Sequence, residues 1–221
     1  MTRPRPDRLV VVVGTGTEVG KTWVSAAALA RLRAAGVAVA ARKPAQSFEA
    51  GDATTDAQEL GRATGEAPTA VCPEHRWYPV ALAPPMAADV LGRAPFTLAD
   101  LHDEIDWPEG VEVGLVETAG GLRSPLASDD GDAVGLTGSL MPDVVVLVAD
   151  AGLGTLNAVR LSVAALDPVL DRQDDIRLVV VLNRYEADDD LHRRNRAWLA
   201  DHDQLDVVTS VDELVDRLRK A

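Results

Sequence analysis

The sequence predicts an α/β fold: a single domain on a mostly parallel central sheet, with helices covering both faces. Three observations carry that expectation. The stretch Leu9–Thr22, LVVVVGTGTEVGKT, runs an apolar strand into a glycine-rich turn that ends in Gly-Lys-Thr and opens an Ala-rich helical pattern. Short apolar runs then alternate with helical segments along the chain, as in a parallel sheet whose crossovers are helices. The 221 residues, 47% apolar and 26% charged, suffice for one sizeable domain and show no repeat, low-complexity tract or linker.

The elements follow in order. After the strand Leu9–Val13 and its loop, Trp23–Ala35 reads as a helix rich in Ala, Leu and Arg, ended by Gly36. Val37–Arg42 is a short strand, expected parallel to the first and beside it, and Lys43-Pro44 ends it. Gly51–Thr55 is turn-like and Ala57–Thr64 helical. Pro68–Pro85 is Pro-rich and weakly periodic, an irregular connection in which Trp77 and Tyr78 read as loop packing. Met86–Gly92 and a segment from Thr97 to Ile105 read as helices. The strands Val111–Val116, Val144–Ala149 and Ile176–Leu182 follow, with a helix from the Gly152 loop to about Leu166 between the last two. A charged surface helix, Asp188–Ala200, a short strand, Asp206–Val208, and a helix, Asp212–Arg219, close the chain.

Bulk charge narrows the partners. A net charge of −13 repels phosphate-rich surfaces and argues against nucleic acid or membrane as partner, and it reads equally as a solubility feature, the plainer reading. The single cysteine, Cys72, cannot form an internal disulfide, which fits a reducing compartment. The leader MTRPRPDR is basic, but the five apolar residues after it are too few for a signal peptide or membrane span. A cytoplasmic chain is expected, with residues 1–7 flexible.

The glycine-rich turn is the centre of the chemistry. Backbone N–H groups of such a loop, with the positive end of the following helix, cradle phosphate oxygens. Lys21 would reach the terminal phosphates and the Thr22 hydroxyl would ligate Mg²⁺. Gly14 and Gly20 are separated by five residues, one more than in the common phosphate-loop pattern, and Thr15 follows Gly14 directly. Arginine outnumbers lysine nineteen to three, yet lysine is kept in this loop and at the end of the second strand, so Lys43 is a candidate. A lysine there points into the ligand crevice of an open α/β sheet, with Gln46, Ser47 and Phe48 in a loop over it. Glu117 and Asp150 both end strands where a Mg²⁺ contact belongs, and spacing does not choose between them. Asp52 and Asp56 fit helix caps on chemistry alone. Gly152–Asn157, opening a helix, suits a carboxylate or phosphate, or a plain turn with an N-cap. The four histidines show no metal-ligand spacing.

Together these residues resemble the dethiobiotin synthetases, ATP-dependent carboxylases of biotin synthesis in the P-loop NTPase superfamily. The resemblance rests on Gly14-Thr15-Gly16-Thr17-Glu18-Val19-Gly20-Lys21-Thr22 paired with Lys43-Pro44 and Ser47. Thr55-Asp56-Ala57, Glu117 with Ala119-Gly120-Gly121, and Leu153-Gly154-Thr155-Leu156-Asn157 then follow in the family's order. It spans roughly Leu9 to Asn183. It implies a reaction of 7,8-diaminononanoate, CO₂ and MgATP that gives dethiobiotin through a carbamate and its phosphoric anhydride. It also implies roles. Lys21 and Lys43 would neutralise the γ-phosphate and the carbamate, with Thr17 and Glu18 at the junction of substrate and phosphate. Thr22, Asp56 and Glu117 would hold Mg²⁺, which favours Glu117 over Asp150. The ATP cradle would comprise Glu18, Val19, Gly20, Lys21, Thr22 and Trp23, with Thr118, Ala119 and Gly120, and Asn183 would read adenine. Ser47 would contact the diamine, and Gly154, Thr155, Leu156 and Asn157 would bind its carboxylate across a homodimer interface.

Four departures accompany the resemblance. Phe48 stands where the family usually has Gly, Thr118 replaces the Gly expected after Glu117, and Ala158 replaces a frequent His. No adenine-side loop is recognisable around Val208–Ser210. Two other readings share the phosphate loop. A ligase of the cobyrinate-synthase type usually carries a glutaminase domain with a Cys nucleophile. A switch ATPase of the MinD or partitioning kind has a signature lysine early in the loop, and none stands there.

Overall fold

A run of four consecutive valines, Val10–Val13, forms the middle of the fold because both faces of its strand are buried. The computed structural model describes residues 4–171 and 176–219. In chain order its elements are β1 (Arg8–Gly14), α1 (Lys21–Ala34), β2 (Val39–Arg42), β3 (Gln46–Ser47), α2 (Asp56–Thr64) and α3 (Pro68–Val71). Next come β4 (Trp77–Tyr78), α4 (Pro84–Val90), α5 (Leu98–Asp103), β5 (Val113–Glu117), α6 (Ala133–Leu140) and β6 (Val144–Asp150). The chain continues through α7 (Thr155–Leu170), β7 (Arg177–Asn183), α8 (Asp190–Ala197), β8 (Asp206–Val208) and α9 (Val211–Arg219).

Six strands form one sheet in the order β2-β5-β1-β6-β7-β8, with every neighbouring pair parallel. The expected adjacency of β1 and β2 is corrected: β5 lies between them, with Val12 opposite Glu117 and Ala41 opposite Leu115. Burial explains the order. Every residue of β5 is buried, which suits an interior strand, whereas the four-residue β2 takes the edge. Lys43 and Glu117 are thereby brought to the ends of neighbouring strands.

Alternate residues of β1 enter two separate cores. Leu9, Val11 and Val13 face Leu101 of α5, Leu136 of α6 and Val159 and Leu166 of α7. Val10 and Val12 face Leu29 and Leu32 of α1, Leu60 of α2 and Leu214 and Leu218 of α9. Truncating Leu29 or Leu32, both fully buried, would cost about 2–5 kcal/mol. No described helix is long and apolar enough to cross a membrane.

Two local expectations change, and one helix is added. The connection Pro68–Pro85 contains α3 and β4; β4 pairs with β3 as a small parallel sheet, Ser47 opposite Tyr78. Tyr78 is buried and stacks on Phe96, and Trp77 donates to the Cys72 carbonyl at 2.8 Å, so both aromatics serve packing. Helix α6 falls where the sequence shows no helical signal; Gly135 and Gly138 mask it, and the Asp132 side chain caps it by accepting from the Gly135 N–H. The flexibility expected for residues 1–7 falls partly on residues 1–3, outside the described residues. Beyond them the segment is held: Arg5 donates to the Met141 carbonyl and pairs with Asp143, while the Asp7 N–H donates to Val111. Pro6 is buried over Gly114, where an added Cβ would collide with the Pro6 and Trp107 rings.

Candidate active site

At the carboxyl end of the sheet, β1 gives way to the glycine-rich loop and α1 begins at Lys21. Gly20, at φ 93°, precedes the helix with no side-chain cap, and no acidic residue occupies the first turn. The first amides of α1 are therefore left open to an anion. A Cβ at Gly20 would strike Asn183 Nδ2 and displace that side chain, and the left-handed backbone itself favours glycine here.

Beside this loop lies a cleft of about 1050 Å³. Thr17, Glu18, Lys21 and Thr22 line it together with Lys43, Ser47, Asp56 and Arg184. Phe48, Leu82 and Pro84 give it an apolar wall. The two lysines of the sequence argument thus share one cleft. Lys21 Nζ donates to the Gly16 carbonyl at 3.1 Å. Burial, reinforced by the charge of Lys43, pulls the Lys21 ammonium down to about 8, against the opposing pull of Glu117 and Asp56.

Under the cleft floor three oxygen-bearing side chains converge. Thr22 Oγ1 lies 2.9 Å from Asp56 Oδ1 and 2.8 Å from Glu117 Oε1. One hydroxyl proton cannot serve both carboxylates at once. Lys43 Nζ bridges the same pair, 2.7 Å from Asp56 Oδ2 and 2.8 Å from Glu117 Oε1. Burial works against the Lys43 charge, but Asp56 and Glu117 outweigh it and hold the ammonium above the ordinary lysine range. Burial likewise works against the Asp56 charge, and is overcome by Lys43 and by the Thr22 hydrogen bond, which hold that carboxyl below its usual range. Glu117 is fully buried and its Oε2 has no partner among the described residues. An orphaned carboxylate oxygen beside a hydroxyl and a second carboxylate is a hard, all-oxygen donor set, which fits Mg²⁺. No group of three or more His, Cys, Asp or Glu side chains suited to a metal occurs among the described residues, so other donors would come from ligand oxygens.

Local structure aims these groups. Thr55, not Asp56, is the N-cap of α2, in a capping box with Gln58, so Asp56 in the first turn is left to face Lys43 and Thr22. Gln46 Oε1 accepts from the Ala57 N–H at 3.0 Å and anchors the same helix start. Asp52 instead accepts from the Glu49 N–H. Asp150, the rival of Glu117, turns away from Thr22: its carboxylate takes the Gly152 N–H at 2.8 Å and the Arg184 guanidinium at 3.0 Å.

The remaining expected residues divide. Ser47, Ala119 and Gly120 line the cleft, and Ser47 Oγ is buried without a partner among the described residues. Thr118 does not line it; its hydroxyl donates to the Val12 carbonyl at 3.3 Å, so it packs onto β1. Val19 faces Gly14 and Gly16, and its carbonyl accepts from Asn183 Nδ2 at 2.9 Å, which makes Asn183 a clamp on the loop. Trp23 lies outside the cleft lining and is 58% exposed. Gly154, Thr155, Leu156 and Asn157 also lie outside it, at the start of α7. Arg184 was missed by sequence reasoning; one arginine among nineteen carries no signal of its own. Cys72 is buried and its thiol pushed up to about 12 by that burial, which unfits it as a nucleophile.

An all-parallel sheet that opens a cleft lined by two lysines beside an uncapped helix start places the chain in the class of P-loop nucleotide-binding proteins. The family described as AAA domain matches residues 8–218. The chain is 42% identical over 159 residues to the ATP-dependent dethiobiotin synthetase of Rhodococcus jostii, covering 72% of this chain and 67% of that protein. It is 39% identical over 168 residues to that of Streptomyces coelicolor, covering 72% and 65%. It is 41% identical over 190 residues to that of Haloferax mediterranei, covering 83% and 75%. The chain belongs to the ATP-dependent dethiobiotin synthetase family. The match spans about two thirds of the length of the first two relatives. Among solved structures, cobyrinic acid a,c-diamide synthase from Mycobacterium smegmatis shares the fold at TM-score 0.59, with 16% identity, 96% of this chain and 93% of that one covered.

Proposed function

We propose that the chain converts 7,8-diaminononanoate, CO₂ and ATP to dethiobiotin, with Mg²⁺ held by Thr22, Asp56 and Glu117. One amine adds to CO₂ and loses a proton to give a carbamate. The carbamate oxygen takes the γ-phosphoryl group and ADP leaves. The second amine then attacks the carbonyl, phosphate departs, and the ureido ring closes.

The observation that carries this reading is Lys43, buried between two carboxylates yet lining the same cleft as Lys21. Moving a phosphoryl group between two anions requires fixed positive charge more than covalent help from the protein. In this reading Lys21 neutralises the γ-phosphate, Lys43 the carbamate, and Ser47 Oγ, buried without a partner among the described residues, meets the diamine. When bound, Mg²⁺ supplies charge neutralisation on the phosphate oxygens. Thr17, Glu18, Val19, Gly20, Ala119 and Gly120 border the nucleotide, and Asn183 fixes the loop close to the base. The wall of Phe48, Leu82 and Pro84 suits the alkyl chain of the substrate.

Gly154–Asn157 lies outside this cleft, and its proposed role is to take the substrate carboxylate in a partner subunit. Leu153 and Leu161, exposed beside that segment, support such a homodimer. We assign the protein to the cytoplasm. The test is direct: purified protein with MgATP, bicarbonate and the diamine releases phosphate and forms dethiobiotin, read by mass spectrometry. Phosphate release that ignores the diamine overturns the assignment.

A further inference from the structure

The carboxyl end of β7 grips the phosphate loop twice. Asn183 Nδ2 donates to the Val19 carbonyl and Arg184 Nη2 to the Glu18 carbonyl, each at 2.9 Å. Arg184 is itself anchored: Nη1 meets Asp150 Oδ2 at 3.0 Å, and Asp150 Oδ1 takes the Gly152 N–H at 2.8 Å. Glu18 and Arg184 both hold left-handed backbone, at φ 60° and 57°, which non-glycine residues seldom adopt. Arg184 also lines the cleft.

We propose that Arg184 is a positioning residue for nucleotide binding: it fixes the Glu18 peptide of the phosphate loop, with Asp150 as the anchor that aims it. A trans peptide points its C=O and N–H in opposite directions. Holding the Glu18 carbonyl therefore sets the direction of the Val19 N–H, as Asn183 on the Val19 carbonyl sets that of Gly20. Amides aimed before the phosphates arrive need no ordering on binding. A guanidinium suits the task because its planar fork serves Asp150 and Glu18 through two nitrogens at once, whereas an ammonium is a single point. The side chains of Arg184 and Asp150 are 60% and 49% exposed, so the pair contributes little to stability and acts on binding instead.

The inference rests on nucleotide use alone and not on the carboxylation chemistry. The test is calorimetric titration of ADP, at fixed Mg²⁺ and without diamine, into the wild-type chain, Arg184→Ala, Arg184→Lys, Asp150→Asn and the double variant Arg184→Ala/Asp150→Asn. Arg184→Ala should weaken ADP by about tenfold, with the ligand-free unfolding midpoint within about 2 °C of wild type. Arg184→Lys should recover part of the loss. Asp150→Asn should weaken ADP by a smaller factor alone and by nothing more in the Arg184→Ala background. Unchanged affinity in Arg184→Ala overturns the proposal. So does a full Asp150→Asn effect in both backgrounds, which would make Arg184 a direct ligand of the nucleotide, or a loss that tracks a falling midpoint. Tight ADP binding with the expected pattern but no diamine turnover upholds this inference and defeats only the proposed reaction.

Discussion

Lys43 and Glu117 meet at 2.8 Å from the ends of neighbouring strands, the lysine 2% exposed and the carboxylate fully buried. The register of β2 against β5 makes that meeting, and Asp56 completes it from the first turn of α2. A buried cation shared by two carboxylates is not arranged for stability alone, since desolvation consumes most of the attraction. It keeps an ammonium charged between Asp56 and Glu117, in the cleft that Lys21 also lines.

Lys43→Ala is expected to lower kcat by about a thousandfold while leaving ADP affinity within about threefold. It also leaves Asp56 and Glu117 facing each other without a counter-charge, a cost of about 3 kcal/mol that added Mg²⁺ should reduce. Single-turnover assays and unfolding with and without Mg²⁺ separate the two effects. Equal loss of turnover and nucleotide affinity would make Lys43 part of the nucleotide cradle only.

Asp56→Asn and Glu117→Gln are expected to raise the Mg²⁺ concentration for half-maximal activity by about tenfold or more. Because Thr55 caps α2, Asp56→Asn should leave the helix intact. A Mg²⁺ titration checks this; an unchanged requirement with a lowered unfolding midpoint would reduce Asp56 to a structural residue.

With its pKa at about 8, Lys21 is mostly charged at pH 6.5 and partly neutral at pH 8.5. A bound phosphate favours the charged form, so nucleotide binding should take up a proton at pH 8.5 and almost none at pH 6.5. Titration calorimetry in two buffers of different ionisation enthalpy reads the uptake. Identical heats at pH 8.5 would contradict the lowered pKa.

Phe48→Ala removes a ring from the apolar wall and is expected to raise the KM for the diamine about fivefold, with the KM for ATP unchanged. Steady-state kinetics with each substrate varied in turn decide it. A lowered diamine KM would mean that the ring obstructs the cleft rather than lining it for the substrate.

Much of this was legible because the decisive chemistry is local in sequence. Strand, glycine turn and Gly-Lys-Thr stand within fourteen residues, and Lys43-Pro44 ends a readable strand. What needed the structure was non-local. The insertion of β5 between β1 and β2 follows from burial across the whole sheet. Spacing left Glu117 and Asp150 level and only the resemblance favoured Glu117; the contacts of Thr22 with Glu117, and of Asp150 with Gly152 and Arg184, needed the folded chain. Thr118 faces β1 and not the cleft, a direction no spacing reveals. Helix α6 escaped because two glycines dilute its pattern, and its packing against the sheet overrides that weak propensity.

The Pro6 ring seated over Gly114 makes the segment before β1 a plug rather than a tail. Trimming the chain to begin at Arg8 would therefore act like a large-to-small replacement in the core: it opens a hole against Trp107, whose own ring lies 4.9 Å from the Arg42 guanidinium on the strand leading to Lys43. A protein shortened for crystallisation would be loosened at the sheet edge nearest its most heavily charged machinery.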